Sequence, residues 1–149
     1  MLTTIRDASP ADAAAIVGLI AELAHGEDWP LELTEEYVAV YLEFPGTRVL
    51  LAERDGEAVG LLAYCVRPGL FHAGEIGYID ELIVMPAARR TGVATQLLQL
   101  AMRRMADRGC KEVSLSTDFE NAEAQRLYRS LGLTEESLLL ERHLRPEGR

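Results

Sequence analysis

The residues with the clearest chemical potential lie in one short segment, residues 86–95, which reads PAARRTGVAT. It joins an apolar run to a long stretch with helical spacing, so a strand leads through a turn to a helix N-terminus. Unpaired backbone N–H groups and the helix dipole make such a turn a site for anions. Arg89 and Arg90 add two cations suited to a diphosphate, and Gly92 and the small Ala94 allow a ligand to approach closely. We predict a site for a phosphate-bearing ligand, while loop composition alone leaves a solvated turn as the alternative.

Motifs of other common sites are missing from the sequence. There is no GxGxxG and no GxxxxGK followed by Ser or Thr, so neither a dinucleotide fingerprint nor a P-loop applies. Cys65 and Cys110 form no CxxC or CxxH pattern, which argues against a disulfide scaffold or a structural zinc site and for a reducing compartment. His25, His72 and His143 show no ligand spacing. We therefore expect no bound metal.

Size, composition and charge limit the class of protein. At 149 residues, 48% hydrophobic and 26% charged, the chain has the values of one globular domain, which we predict over residues 1–149. A net charge of −9 disfavours nucleic-acid or membrane-surface partners and would attract a cationic substrate. No run reaches the roughly 18 apolar residues of a membrane span, and no basic leader precedes an apolar run. These features predict a cytoplasmic protein.

The elements that must position the segment follow from apolar periodicity. The predicted order is βααβββαβαβ, an α/β fold with a mixed sheet and helices on its faces. The strands are expected at residues 2–7, 48–54, 57–66, 75–85, 111–117 and 137–144. The helices are expected from Pro10 to Gly26 and at residues 35–44, 91–108 and 121–131. Asp55-Gly56 signals a hairpin, and Pro68-Gly69 is expected to break the chain.

Two blocks of sequence together resemble one family. Residues 89–94 (RRTGVA) fit a pattern of Gln or Arg, two residues, Gly, one residue, and Gly or Ala, after the apolar strand end at residues 82–86. Residues 121–133 (NAEAQRLYRSLGL) fit N-x-x-A-x-x-L-Y-x-x-x-G followed by Phe or Leu. With this spacing and element order, the chain resembles the GNAT superfamily of N-acetyltransferases. The resemblance implies a central mixed, mostly antiparallel sheet and acetyl-CoA as co-substrate.

The same resemblance implies where acetyl-CoA binds. The pantetheine arm would hydrogen-bond to strand backbone around Ile83 and Val84. Asn121 would contact the coenzyme, and Tyr128 would stand near its sulfur. The diphosphate would meet backbone N–H groups of Arg89, Arg90, Thr91, Gly92, Val93, Ala94 and Thr95.

The reaction then needs three groups. An alkyl ammonium has a pKa near 10.4, so a carboxylate, or a water that it orients, should take its proton. The backbone N–H of Val84 could stabilise the developing oxyanion. A tyrosine hydroxyl can protonate the departing thiolate if it is well positioned, which makes Tyr128 the predicted general acid. Its helical spacing also fits a core aromatic residue.

Asp80 and Glu81 are the candidate general bases. Strand side chains alternate, so the two should point to opposite faces and only one can face the site. Asp80 shares its parity with Val84 and is favoured, with Glu81 in reserve. An acid within an apolar strand is costly without a partner or a task, yet a pair of ordinary surface acids remains the alternative.

The acceptor site is expected between the first two helices. Glu27, Asp28 and Trp29 would suit a cationic amine through ion pairs and cation–π contact, although a solvated acidic loop has the same composition. The segment also holds Glu32, Glu35 and Glu36. Residues 78–92 and the LYRSLG segment at residues 127–132 look like those of diamine and polyamine acetyltransferases, and the YIDEL run at residues 78–82 is similar to that of aminoglycoside 3-N-acetyltransferases.

The predicted function is acetyl-CoA-dependent transfer to a primary amine of a small cationic acceptor of the polyamine, diamine or aminoglycoside kind. The alternatives are a non-catalytic acyl-CoA-binding sensor and a peptide or protein N-acetyltransferase. By analogy with the family, the resemblance favours a homodimer.

Overall fold

The computed structural model describes residues 2–25 and 30–144, and its contacts group them into two units. The first unit is residues 1–115 and the second is residues 116–149. The single domain expected over residues 1–149 stays a prediction. No helix within the described ranges is both long enough and apolar enough to cross a membrane.

Five strands form the sheet of the first unit: β1 (Thr4–Asp7), β2 (Thr47–Arg54), β3 (Glu57–Gly69), β4 (Gly74–Val84) and β5 (Val113–Leu115). They lie in chain order, antiparallel throughout except that β4 and β5 are parallel. This confirms the mixed, mostly antiparallel sheet. The pairing of β4 with β5 covers only three residues and ends at Ile79 and Leu115. Beyond Ile79, that edge of β4 has no strand partner among the described residues.

The helices are α1 (Ala13–Leu23), α2 (Glu35–Glu43), α3 (Val93–Arg108) and, in the second unit, α4 (Ala122–Ser130). The Thr34 hydroxyl accepts from the Tyr37 N–H at 3.1 Å and caps α2, a role for which threonine is well suited. Pro10 begins a short 3-10 turn that leads into α1. The third helix begins two residues later than expected, because Arg90 (φ +62°) and Gly92 (φ +88°) take left-handed backbone that interrupts a helix.

The helices of the first unit cover both faces of its sheet. Residues of α1 and α2 pack with Leu61 and Ile83 in one apolar core. The third helix lies close against the other face at two glycines. A Cβ at Gly60 would stand 2.9 Å from Val93, and one at Gly77 would stand 2.1 Å from the sulfur of Met105. This close packing places the start of α3 beside the end of β4.

The predicted break at Pro68-Gly69 is wrong, because β3 continues through both residues. The pairing of β2 with β3 ends at Cys65, and Pro68 pairs only with Glu75 of β4. The strand thus has one neighbour at this point. A proline, which lacks an N–H, is tolerated on such an edge.

The predicted closing strand at residues 137–144 is also wrong. The described residues 134–144 take no regular secondary structure, and the leucines there are exposed, with Leu140 and Leu144 each at 87%. The sequence SLLLERHL does not alternate apolar and polar residues. A strand made from it would have no single apolar face to bury.

Candidate functional site

The two candidate carboxylates lie at a β-bulge in β4. Ala63 of β3 pairs with Glu81, and the next residue, Tyr64, pairs with Ile79, so Asp80 is the extra residue. A bulge interrupts the alternation of side chains along a strand. The prediction that Asp80 and Glu81 point to opposite faces is therefore wrong.

Contacts on the side of α1 and α2 confirm that both carboxylates face that way. Cys65 is two residues from Ala63 on β3, so the two share a face. The Cys65 thiol donates a hydrogen bond to the Asp80 carboxylate, while Ala63 and Glu81 line one cavity. Tyr41 of α2 also lies near them, because the charges of Asp80 and Glu81 add to burial in raising the pKa of its hydroxyl. Because of the bulge, the carboxylates of Asp80 and Glu81 lie together on one face of the sheet.

The environment makes these groups hold their protons more tightly than usual. Burial raises the pKa of Glu81, and the charge of Asp80 raises it further. Burial also raises the pKa of Asp80, against the opposing effect of the bond from Cys65. Burial, followed by the charge of Asp80, raises the pKa of Tyr41 to about 12. Carboxylates whose pKa values move toward neutrality suit proton transfer.

Glu81 opens onto an apolar cavity between the two helices and the sheet. The cavity measures about 200 Å³ and is lined on the helix side by α1, α2 and Leu33. Tyr37 and Tyr41 also line the cavity and carry hydroxyl groups. Among the described residues that line it, Glu81 is the charged one. This arrangement can hold the apolar part of a small molecule beside a carboxylate.

The turn before α3 has the backbone of an anion site. The first hydrogen bond of the helix runs from the Gln96 N–H to the Gly92 carbonyl at 3.0 Å. The N–H groups of Val93, Ala94 and Thr95 precede it and have no acceptor within the helix. They lie at the positive end of a 16-residue helix, where a phosphate is stabilised.

The Arg89 side chain bonds within the fold, and the binding of a diphosphate at Arg89 and Arg90 stays a prediction. The Arg89 Nε donates to the carbonyl of Val84 at 2.9 Å, and its Nη2 lies 3.5 Å from the Glu22 carboxylate. The Arg89 guanidinium therefore ties the turn to the end of β4 and to α1. Arg90 has the left-handed backbone that starts the turn.

Arg54, at the end of β2, is a residue that the sequence did not indicate. Its Nη2 donates to the Thr91 hydroxyl at 2.8 Å, and its Nε donates to the Thr3 hydroxyl at the same distance. The Thr91 hydroxyl in turn donates to the carbonyl of Ala88. Arg54 therefore adds a positive charge to the turn, although it is 37 positions from Thr91 in the sequence. The contact between the two residues depends on the register of the sheet and not on a local motif.

The backbone of Val84 faces the open edge of the sheet. The Met85 N–H donates to the carbonyl of Val59 in β3 at 2.9 Å. Backbone groups alternate between the two edges, so those of Ile83 also face β3, while those of Val84 face away. At that edge, the Val84 carbonyl accepts a hydrogen bond from the Arg89 Nε. Hydrogen bonding of a pantetheine arm to Ile83 and Val84 stays a prediction, and of the two, Val84 has the suitable direction.

The second unit contains Asn121 and Tyr128. The Asn121 side chain accepts from the Ala124 N–H at 3.1 Å, so it caps α4. Tyr128 is half-buried on this helix, and burial raises the pKa of its hydroxyl. A coenzyme contact for Asn121 and an acid role for Tyr128 stay predictions. Glu27, Asp28 and Trp29 lie outside the described residues.

Comparison with known proteins decides the family. The model of the acetyltransferase (GNAT) family matches residues 19–133, a range that includes both sequence blocks and parts of both units. The chain belongs to the GNAT family. This acetyltransferase is 32% identical to an aminoalkylphosphonate N-acetyltransferase of Salmonella typhimurium, with 83% of this chain and 80% of that protein covered. It is 31% identical to an aminoglycoside N(6')-acetyltransferase of Stenotrophomonas maltophilia, with 89% and 86% covered.

Solved structures confirm the fold of this acetyltransferase. A soil metagenomic aminoglycoside acetyltransferase in complex with sisomicin superposes with a TM-score of 0.82 at 18% identity, and 97% of each chain is covered. The aminoglycoside acetyltransferase AAC(6')-Iy in complex with a bisubstrate analogue of CoA gives 0.79 at 23% identity, with 98% and 100% covered. The chain is thus a GNAT-type N-acetyltransferase, a family that uses acetyl-CoA. In the described parts of the chain, no three His, Cys, Asp or Glu side chains are grouped to hold a metal.

Proposed function

We propose that this enzyme acetylates the primary amine of a small cationic acceptor that binds beside Glu81. The observation that carries the proposal is the bulge at Asp80, which puts two carboxylates of raised pKa on one face, next to a cavity. The named relatives support it, since aminoglycosides and aminoalkylphosphonates are small molecules that carry amines.

Acetyl-CoA fits the other features of the first unit. The diphosphate would bind the N–H groups of residues 93–95, with positive charge from Arg90 and Arg54 at the turn. The amide-rich pantetheine arm would lie along the open edge of β4, where a strand partner is lacking beyond Ile79 in the described chain. The Val84 N–H would then be directed at the thioester oxygen, which gains negative charge during the reaction.

The chemistry divides among three groups. The acceptor ammonium gives one proton to Glu81, directly or through water, and the amine nitrogen attacks the thioester carbonyl carbon. A C–N bond forms, the C–S bond breaks, the nitrogen loses its second proton to solvent, and Glu81 then releases its proton to solvent. Tyr128 supplies a proton to the CoA thiolate and regains one from solvent. The products are an N-acetylated amine and free CoA.

Glu81 is the better base of the pair in this proposal. It lines the cavity, whereas the carboxylate of Asp80 accepts the bond from Cys65. Asp80 then acts through Glu81, because its negative charge raises the pKa of the neighbouring carboxyl. The homodimer and the cytoplasmic location remain predictions.

Release of the CoA thiol from acetyl-CoA, measured with a panel of amines and N-terminal peptides, tests the proposal. We expect turnover with small amines and a loss of about 100-fold to 10,000-fold in kcat for Glu81→Gln, the usual contribution of a general base. Glu36→Gln is the control, because Glu36 is an exposed residue in the first turn of α2. Coenzyme binding without thiol release for any acceptor would instead identify an acyl-CoA sensor.

A further inference from the structure

The cavity beside Glu81 differs in chemistry from the acidic segment that precedes α2. Of the ten described residues that line it, seven are aliphatic and two are tyrosines. Glu35 and Glu36 lie close to it in sequence, yet both are exposed to solvent, while the half-buried Leu33 lines the cavity. Neither Glu35 nor Glu36 is among the described residues that line the cavity.

The volume is large enough for a compact apolar group. An engineered protein cavity of about 150 Å³ with aliphatic walls stays dry and binds benzene. The present cavity has about 200 Å³. It would hold a six-membered ring or a short alkyl chain, and burial of that group would contribute binding free energy in proportion to its apolar area.

Among the described lining residues, one can pair with a cation. Glu81 is at one side of the cavity and can receive an ammonium. A second ammonium placed among Ile16, Val38 and Leu61 would meet no carboxylate among the described lining residues and would lose its hydration. The lining also brings no Arg, Lys or His from the described chain to bind a phosphonate.

We infer that the acceptor is a primary amine with a single positive charge and an apolar substituent, an alkylamine or arylalkylamine, whose hydrocarbon part fills this cavity. The inference rests on the proposed function and narrows its acceptor. It sets this chain apart from the polyamine and aminoglycoside acceptors that the resemblance suggested.

Two amines of matched length test the inference. Pentylamine and cadaverine differ mainly in the second ammonium at the far end of cadaverine, and phenethylamine tests the ring. We expect kcat/KM for pentylamine and phenethylamine to exceed that for cadaverine by at least about tenfold, because the far ammonium would be desolvated without a partner.

A substitution in the cavity wall adds a second test. Leu33→Glu would place a carboxylate in the cavity wall, where it can pair with the far ammonium of cadaverine, so it should narrow or reverse the preference. Leu31→Glu is the matched control, since Leu31 is two residues away, exposed, and not part of the lining. Thermal melting of both variants shows whether the fold is kept. Should Leu33→Glu unfold, Leu33→Ala is used instead, with a lower kcat/KM expected for pentylamine alone.

The outcomes separate the two proposals. Thiol release with cadaverine or an aminoglycoside, but not with pentylamine or phenethylamine, would overturn the apolar acceptor and leave the proposed function intact. Equal effects of the Leu33 and Leu31 variants on the preference would also overturn it. Absence of thiol release with every amine would contradict the proposed function itself.

Discussion

Asp80 and Glu81 are neighbours in sequence, and their carboxylates lie on the same face of β4 because Asp80 is the extra residue of a bulge. In a regular strand, one of them would face α3 instead. Their proximity means that the charge of Asp80 raises the pKa of Glu81. Burial is the larger cause of the raised pKa and the bulge adds the charge of Asp80 to it, so the bulge helps to set the pH range in which the proposed base is active.

The pH dependence of kcat/KM should show this coupling. A general base works when deprotonated, so the raised pKa of Glu81 moves the acidic limb of the profile to higher pH than a free carboxyl would give. Asp80→Asn removes the neighbouring charge, and the limb should then move to lower pH. An unchanged limb in Asp80→Asn, measured at saturating acetyl-CoA, would show that Glu81 is not the titrating base.

The same shift has a consequence for stability. The pKa of Glu81 is higher in the folded chain than in the unfolded one, so its stabilising contribution is present below the unfolded pKa and is lost as pH rises through the folded pKa. Glu81→Gln should therefore melt at a higher temperature than the parent at pH 8, and the gain should disappear near pH 4. Calorimetry at the two pH values measures it, with Glu36→Gln as the exposed control.

Tyr128→Phe tests the proposed acid. We expect kcat to fall by about 100-fold, at the low end of acid–base contributions, with coenzyme affinity unchanged. An acetyl thioester of a more acidic thiol needs less protonation as it leaves, so it should restore much of the rate in the variant. A tyrosine with only a packing role would lose activity equally with both thioesters.

Gly92 and Gly109 provide a matched pair for the coenzyme turn. Both have positive φ, +88° and +92°, at opposite ends of α3, and an added Cβ would meet no atom closer than 3.9 Å at either one. Alanine at each should cost roughly 1–2 kcal/mol through backbone strain alone. Only Gly92→Ala should also weaken CoA binding, as measured by calorimetry. Equal loss of CoA affinity in the two variants would place the diphosphate elsewhere.

Arg54 should contribute to coenzyme binding through Thr91. Arg54→Gln removes both the cation and its bond to the Thr91 hydroxyl, and we expect KM for acetyl-CoA to rise by about tenfold, the effect of losing one charge-assisted hydrogen bond. Arg48→Gln, at the other end of the same strand, is the control, since Arg48 bonds only to its neighbouring carbonyl among the contacts described. A rise in KM for both variants would point to a general effect of net charge.

Much of the fold could be predicted because its signals are local. The Thr34 cap, the Asp55-Gly56 hairpin and the apolar stripe of α3 each depend on a few neighbouring residues, and each element formed where expected within a few positions. The two sequence blocks were enough to predict the family for the same reason, because each block is a pattern of residues at fixed spacing within a short segment.

The candidate site was harder to predict, because its key contacts join distant parts of the chain. The bulge at Asp80 depends on how β3 and β4 pair, and no local pattern marks it. Arg54 reaches Thr91 across the sheet, and Arg89 turns back to the Val84 carbonyl instead of facing outward. Each of these depends on tertiary register, which a single sequence does not encode in neighbouring residues.

The side chain of Arg89 has a consequence for how two substrates can meet. One guanidinium binds the last carbonyl of β4 and also lies near Glu22 on α1, the helix that forms a wall of the proposed acceptor cavity. An anion that binds at the turn would compete with Glu22 for that positive charge. Loss of the contact between Arg89 and Glu22 would then remove one connection between the turn and the cavity wall formed by α1. We therefore expect coenzyme bound at the turn to alter the affinity for the amine, with the Arg89 contact to Glu22 as the link between the two sites.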